Sequence, residues 1–422
     1  MFPIEEKDFS RKISLLDAVI LGLGSTIGAG IFILLSPGIE IAGPGVIIAF
    51  AINAFIALII AGNYAEAASF VPVQGGGFSF VEAAYGKKAL FLGWIVWLGN
   101  TSYAALTAVG IGKYLSTILP VHELFISITV LVVFTLLNSV GSKSVASIEK
   151  PLIISLITAF IITIAFLFGN PVDGGFNPLL PNGLWALLPA TSLLFITYTG
   201  FESITTISAE IKKPRKNIPK ALFITIGLVS VIYLVVVASV LYAADYQRLG
   251  GSAIALVEAV GESPLMQGLI TMAAILAMLT SLNIGLMAGS RNVYALSRDG
   301  FLSKKWSSIS ERFQSPVKAV VLTFGVAVIL ILTNQIDFIA SVSNIAFMLM
   351  VSSVGLAVLK FRKHEESTNY RLPLYPYTSY LCIGLPLILI PFLDYHAIII
   401  GFGWLFIGIL IYFFKHPRKP KT

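Results

Sequence analysis

The sequence predicts an all-α polytopic membrane protein, and three observations carry that prediction. Of the 422 residues, 57% are hydrophobic and only 12% charged, about half the charge of a soluble domain, and mean hydropathy is +0.90. The apolar runs are long and continuous, as helical spans of about 20 residues require, whereas barrel strands would alternate over about ten. Lys and Arg gather on alternate connections: with the N-terminus inside, 26 of the 28 fall on inner segments, leaving only Lys113 and Arg248 outside. By the positive-inside rule both termini are expected in the cytoplasm of a multi-pass plasma-membrane protein. The net charge of +7 therefore reports topology and does not call for a nucleic-acid partner.

Twelve spans are predicted, centred on 14–35, 41–69, 88–118, 123–141, 150–169, 185–211, 219–242, 265–296, 318–334, 338–359, 379–394 and 396–414. The first apolar stretch is too long for a signal peptide and lacks a small-residue cleavage site, so it reads as span 1. Connections are short, so 1–422 is expected to form a single transmembrane domain. One outer stretch, "SAIALVEAVGES" near 252–263, has the pattern of a short amphipathic helix at the membrane surface. The lone Cys382 leaves no internal disulfide or thiolate metal cluster. The histidines at 122, 364, 396 and 416 are too scattered to hold a metal, and no cofactor is expected.

Two spans break the helical pattern. "GSTIGAGIF" (24–32) puts three glycines and two hydroxyls inside span 1, and "LLFITYTGFESITTISAEI" (193–211) puts Thr199, Gly200 and Glu202 inside span 6. Such residues weaken a helix, and lipid cannot satisfy the backbone groups they free. The breaks lie five spans apart, so the copies have opposite orientation. Spans 1–5 (14–170) and 6–10 (185–360) then read as an inverted repeat, with spans 11 and 12 (379–414) appended. Paired interruptions of this kind point to a transporter's binding site. A half-helix starting at Gly30 offers free N–H groups and a positive dipole end to a carboxylate. Carbonyls near Thr26 and Thr199 suit an ammonium group. Glycine at 28 and 30 lets a ligand approach the backbone. The plain alternative is close helix packing, since Gly24 and Gly28 have GxxxG spacing.

Four stretches then bring a family into view: "STIGAGIF" in span 1, "NYAEAASFVPVQGGGFSFVEAAYG" (63–86), "GFESITTISAEIKKPRKNIPKA" (200–221) and "SRNVYALSRDGFLSK" (290–304). The chain resembles the amino acid–polyamine–organocation (APC) permeases, above all their cationic amino acid transporter branch. The resemblance extends over spans 1–10 and implies two inverted five-helix repeats with substrate held between the breaks. It implies that Ala29 and Gly30, following Ile27 and Gly28, present amides to the substrate carboxylate, and that the carbonyls of Thr26, Ile196 and Thr199 receive its ammonium. Gly200 and Phe201 complete the second break. The chain departs from some relatives at Ile196, where they carry an aromatic gate. It departs again in span 5, where some carry a lysine and this chain has Ser155 or Leu156, Lys150 lying too near the inner end.

Charged and polar groups in the spans have two readings each. Glu202 is expensive at mid-membrane unless paired, hydrated or protonated, which makes it the candidate proton carrier; the alternative is a structural carboxylate bracing the unwound backbone. Glu66, Glu82, Glu149 and Glu210 are expected to brace helices or pair with inner basic residues. Thr280 and Ser281 are candidate sodium ligands, against ordinary interhelical hydrogen bonding. Asn100, Tyr103, Asn283 and Asn344 are polar candidates for shaping the pocket. Lys113 is expected to snorkel outward, and the run "KKPRKNIPK" (212–220) also suits anionic lipid.

The function these features imply is secondary active amino acid transport by alternating access, with proton symport the leading mode and exchange or sodium symport open. No nucleotide loop, HExxH or serine elbow occurs in the spans, so an enzyme is not expected. A channel or scaffold of the same fold is the rival class. Without a second mid-membrane acid, the residues point to small or apolar neutral substrates, while the resemblance implies cationic amino acids or polyamines. Oligomeric state is left open.

Overall fold

The computed structural model describes residues 12–71, 75–140, 146–172, 175–252, 254–313, 315–364 and 370–415. The helices are α1 (Leu15–Ile27), α2 (Gly30–Ala42), α3 (Val46–Phe70), α4 (Gly76–Tyr85), α5 (Leu90–Ser116) and α6 (Glu123–Val140). They continue with α7 (Ala146–Phe168), α8 (Leu187–Leu194), α9 (Ser203–Thr206), α10 (Pro214–Ala243), α11 (Tyr246–Gly250) and α12 (Ala255–Ala259). The last five are α13 (Pro264–Arg298), α14 (Val317–Ile331), α15 (Ile336–His364), α16 (Tyr377–Leu389) and α17 (Tyr395–Lys415). Among the described residues no strand forms; Ile13 and Ile211 make an isolated parallel bridge. Among the described residues nine helical stretches are long and apolar enough to cross a membrane, and three shorter apolar helices accompany them. The protein is an all-α polytopic membrane protein, as the apolar runs predict.

Local chemistry sets the helix ends. Ser14 caps α1 in a capping box with Asp17, the Asp17 amide donating to Ser14 Oγ at 3.2 Å and the Ser14 amide to Asp17 Oδ2 at 3.1 Å. α10 starts with Pro214 at its first turn, where a missing N–H costs nothing. The predicted boundary at 35 falls short: α2 continues through Pro37 to Ala42, and the real turn is Gly43-Pro44-Gly45, with Gly43 at φ +59°. α4, which falls between predicted spans 2 and 3, is a separate helix joined to α5 by a 3-10 turn over Gly86–Ala89.

The 252–263 stretch forms a short helix as expected but differs in what its apolar face meets, and the chain after α10 is helical twice. The two short helices are α11 and α12, whose Leu249 and Leu256 are fully buried. They pack on α2, and Ser36 Oγ donates to the carbonyls at the end of α11, Leu249 O at 2.8 Å among them. A pattern of apolar residues on one face reads the same whether that face meets lipid or protein; here it meets protein.

The core joins α5 to α13, α3 to α10, and α15 to α5 and α16. Between α3 and α15 a carboxylate is buried to make a joint. Glu66 on α3 is 0% exposed and accepts from Arg362 Nε, from Arg362 Nη2 at 2.9 Å and from the Leu372 amide at 3.0 Å. A charge so buried is tolerable only when fully paired. Lys360 Nζ donates to the Ala84 carbonyl at the end of α4 at 2.6 Å, where a cation also meets the negative dipole end. Lys150 pairs with Asp17, tying α7 to α1. Glu210 contributes its backbone carbonyl to the Ile13 amide at 3.0 Å. The Glu149 side chain lies outside the described residues. Lys113 does not reach outward alone: it pairs with Glu123 at 3.5 Å.

Candidate functional site

Both sequence breaks are breaks in the structure. α1 ends at Ile27, Gly28 turns the chain at φ +26°, and α2 starts afresh at Gly30. In the second, α8 ends at Leu194, tightens to a 3-10 turn over Phe195–Tyr198, becomes extended at Thr199 and turns at Gly200 with φ +115°. Only glycine adopts that last conformation without strain.

The two breaks cross in direct contact, and this is why they need glycine. A Cβ on Gly30 would lie 2.8 Å from Thr197 Cα, and one on Gly200 would lie 3.0 Å from the Thr26 nitrogen. Backbone therefore packs on backbone, bringing Thr26 to Gly30 and Ile196 to Phe201 into one place. Tyr233, fully buried on α10, closes the arrangement from behind. Its hydroxyl lies 3.1 Å from Thr26 O, 3.2 Å from Ile27 O and 3.1 Å from Thr197 O. One hydrogen is shared among three carbonyls, which leaves acceptor capacity at the crossing for a cationic group.

Other groups complete the surroundings. Tyr103 on α5 places its hydroxyl on the Ala29 backbone and on the Ser281 side chain. A Cβ at Gly28 would lie 2.7 Å from both hydroxyl oxygens. The Gly200 amide donates to Glu202 Oε2 at 2.7 Å, so this carboxylate braces the unwound chain. The Ile196 carbonyl accepts from the Thr199 amide at 3.2 Å and from Thr199 Oγ1 at 2.8 Å; it is already occupied by its own segment. Phe201 is buried and meets Tyr64 edge-on at 6.1 Å, and Tyr64 meets Phe80 of α4 at 6.0 Å. These aromatic rings stack between the second break and α4.

The two candidate sodium ligands share a partner, Thr280 Oγ1 and Ser281 Oγ both donating to Ala277 O, at 2.8 and 3.0 Å. Ser281 faces Gly28. Thr280 lines a cavity of about 120 Å³ between α7 and α13, together with Gly24, Ser155 and Leu156. Asn283 accepts from Asn138 Nδ2 of α6 at 2.8 Å and is committed to that helix pair. A second, polar cavity of about 420 Å³ is lined by Glu40, Lys113, Asp337, Asp394 and Ile33, the last one turn along α2 from Gly30.

Two residues at this site escape sequence reasoning, Tyr233 and Asn53. Tyr233 is the lone polar-tipped side chain in "VIYLVVV" and Asn53 the lone amide in "AFAINAFIALII". A hydroxyl or amide in an apolar span must find a partner, which is a signal, but it does not say which partner.

Comparison with known proteins assigns the chain to a family. A family model described as amino acid permease matches residues 13–422. The branched-chain amino acid permease BcaP of Bacillus subtilis is 27% identical over 99% of this chain and 95% of its own length. The methylthioribose transporter of the same organism is 25% identical over 99% and 96%. BcaP of Lactococcus lactis is 24% identical over 99% and 97%.

Proposed function

Because this chain belongs to the amino acid permease family, and is thus a transporter and not an enzyme, we propose that it moves amino acids by alternating access across the plasma membrane. The observation that carries the proposal is the contact between two glycine-broken helices in the buried middle of the protein, Gly200 against the Ser25–Thr26 backbone and Gly30 against Thr197. Free donors at the start of α2 and shared carbonyls at the end of α1 match the two ends of an α-amino acid. In this reading the carboxylate takes the Ala29 and Gly30 amides, displacing the Tyr103 hydroxyl, and the ammonium takes the Thr26 and Thr199 carbonyls. Ile196 serves through its side chain, its carbonyl being internally bonded.

The chain crosses twelve times, as two inverted repeats over 14–170 and 185–360 with 379–414 appended, both termini cytoplasmic. Branched-chain neutral amino acids are the substrates: two relatives are named for them, and Ile27, Ile196 and Phe201 supply apolar side chains at the breaks. Substrate approaches through the acid-lined outer cavity, while Phe201, Tyr64 and α4 close the inner side. A proton drives uptake, with Glu202 as the group that carries it.

The test is uptake of a panel of radiolabelled amino acids into proteoliposomes under an imposed proton gradient without sodium. Leucine, isoleucine and valine are expected to accumulate and to leak out on adding a protonophore. Accumulation only after preloading would establish exchange, accumulation only with sodium would establish sodium symport, and none under any gradient would remove the transport reading. Glu202→Gln keeps an oxygen for the Gly200 amide but has no titratable proton. It is expected to lose gradient-driven accumulation while still exchanging substrate; unchanged, pH-dependent accumulation would end the role given to Glu202.

A further inference from the structure

The outer half of the second broken helix is held by two asparagines. Where α8 tightens into the 3-10 turn at Phe195, bonding passes from the fourth residue back to the third, and such a junction skips a carbonyl. Buried carbonyls need partners. Here three consecutive ones are met from two sides. From α3, Asn53 Nδ2 donates to Thr191 O at 3.0 Å. From α15, Asn344 Nδ2 donates to Ser192 O at 3.0 Å and to Leu193 O at 2.9 Å. Asn53 is 1% exposed and Asn344 is 0% exposed.

The acceptors are carbonyls, so each amide must turn its N–H groups toward α8. That orientation leaves Asn53 Oδ1 and Asn344 Oδ1 buried without partners, a costly state for an amide oxygen. Apolar side chains would fill these places without that cost. What the amides add is direction: each hydrogen bond fixes where the end of α8 lies along its axis and how it is turned. The next residues are the ones that meet the first break. Thr197, one turn further, is the residue against which Gly30 packs and whose carbonyl lies under Tyr233.

We propose that Asn53 and Asn344 are positioning residues for substrate binding, clamping the end of α8 between α3 and α15 and so placing the Ile196–Gly200 break against Gly30. The proposal rests on the reading of the two breaks as the amino acid site.

The experiment measures leucine uptake by the full-length protein in proteoliposomes, with Asn53→Ala, Asn344→Ala and the isosteric Asn344→Asp beside wild type. Aspartate keeps the shape, donates nothing and sets lone pairs against two carbonyls. Losing two bonds at Asn344 is expected to raise KM about tenfold, and losing one at Asn53 about threefold, with Vmax within about twofold. Melting temperature in detergent is read in parallel. Lowered melting with KM unchanged would make both asparagines ordinary stabilisers and overturn the proposal. If the Asn344 variants fail to reach the membrane, Asn53→Ala decides by the same criterion, since it gives up a single bond. Wild-type protein that takes up no leucine sinks the reading of the site; wild-type uptake matched by every variant sinks only the clamp.

Discussion

Replacing Gly200 by alanine tests the crossing of the two breaks most directly. Two costs add. The backbone there has φ +115°, which an L side chain adopts at a cost of about 1–2 kcal/mol. The new Cβ would also lie 2.7 Å from the Ser25 carbonyl carbon and 3.0 Å from the Thr26 nitrogen, where carbon contacts settle at about 3.5–4.0 Å. Those atoms are backbone, so no rotamer change relieves the overlap, and the breaks must separate by roughly 1 Å. Tyr233 then cannot span them: its 3.1 Å reach to both Thr26 O and Thr197 O would lengthen on one side to about 4 Å, beyond a working hydrogen bond. A substrate bridging the same gap suffers likewise. Two bonds of about 1 kcal/mol each amount to a loss of about 30-fold in affinity. The assay is leucine KM in proteoliposomes, with Gly227→Ala on α10 as control. A Cβ at Gly227 meets nothing within 4 Å, so KM should hold and the helix should gain up to about 1 kcal/mol. Wild-type KM in Gly200→Ala would refute the claim that the breaks form one site.

Three further outcomes follow from the same geometry. Tyr233→Phe removes the one hydrogen shared by three carbonyls at a cost of about 1–3 kcal/mol; leucine KM should rise about tenfold with normal expression, and an unchanged KM would show the hydroxyl to be idle. Arg362→Met strands the Glu66 carboxylate, which should lower stability by about 3–5 kcal/mol, seen as a fall in melting temperature. Adding Glu66→Gln should recover most of it, because the amide still accepts from the Leu372 backbone; a double variant no better than the single would contradict a pairing role. Gly30→Ala, whose Cβ would lie 2.8 Å from Thr197 Cα, should impair uptake as Gly200→Ala does, and full transport by that variant would argue against close packing at the crossing.

The all-α membrane architecture was legible because hydropathy and the absence of alternation act along the chain. The breaks were legible too: glycines and hydroxyls in an apolar run are locally costly wherever the chain goes, so they announce a special use. Glu66 was readable as a bracing carboxylate for the same reason, and Arg362 now stands as its partner. Other features depended on what lies opposite. The 252–263 stretch has an apolar face that fits lipid or protein equally, and packing against α2 decided it. Thr280 and Ser281 look alike in sequence, yet the rotation of α13 sends one to the lateral cavity and the other to Gly28. Glu202 carries its charge in the sequence, but only the turn at Gly200 shows its oxygen on that amide.

By itself, then, the sequence determined that the chain lives in a membrane, that it is helical, and that two helices break at Gly28 and Gly200. Those properties follow from short-range backbone and transfer energetics that need no partner. The tertiary structure decided that the breaks touch, that Tyr233 spans them, and that Asn53 and Asn344 grip the end of α8. These are contacts between different helices, most of them joining residues more than a hundred positions apart, and only the packing angles of whole helices settle which side chain meets which carbonyl.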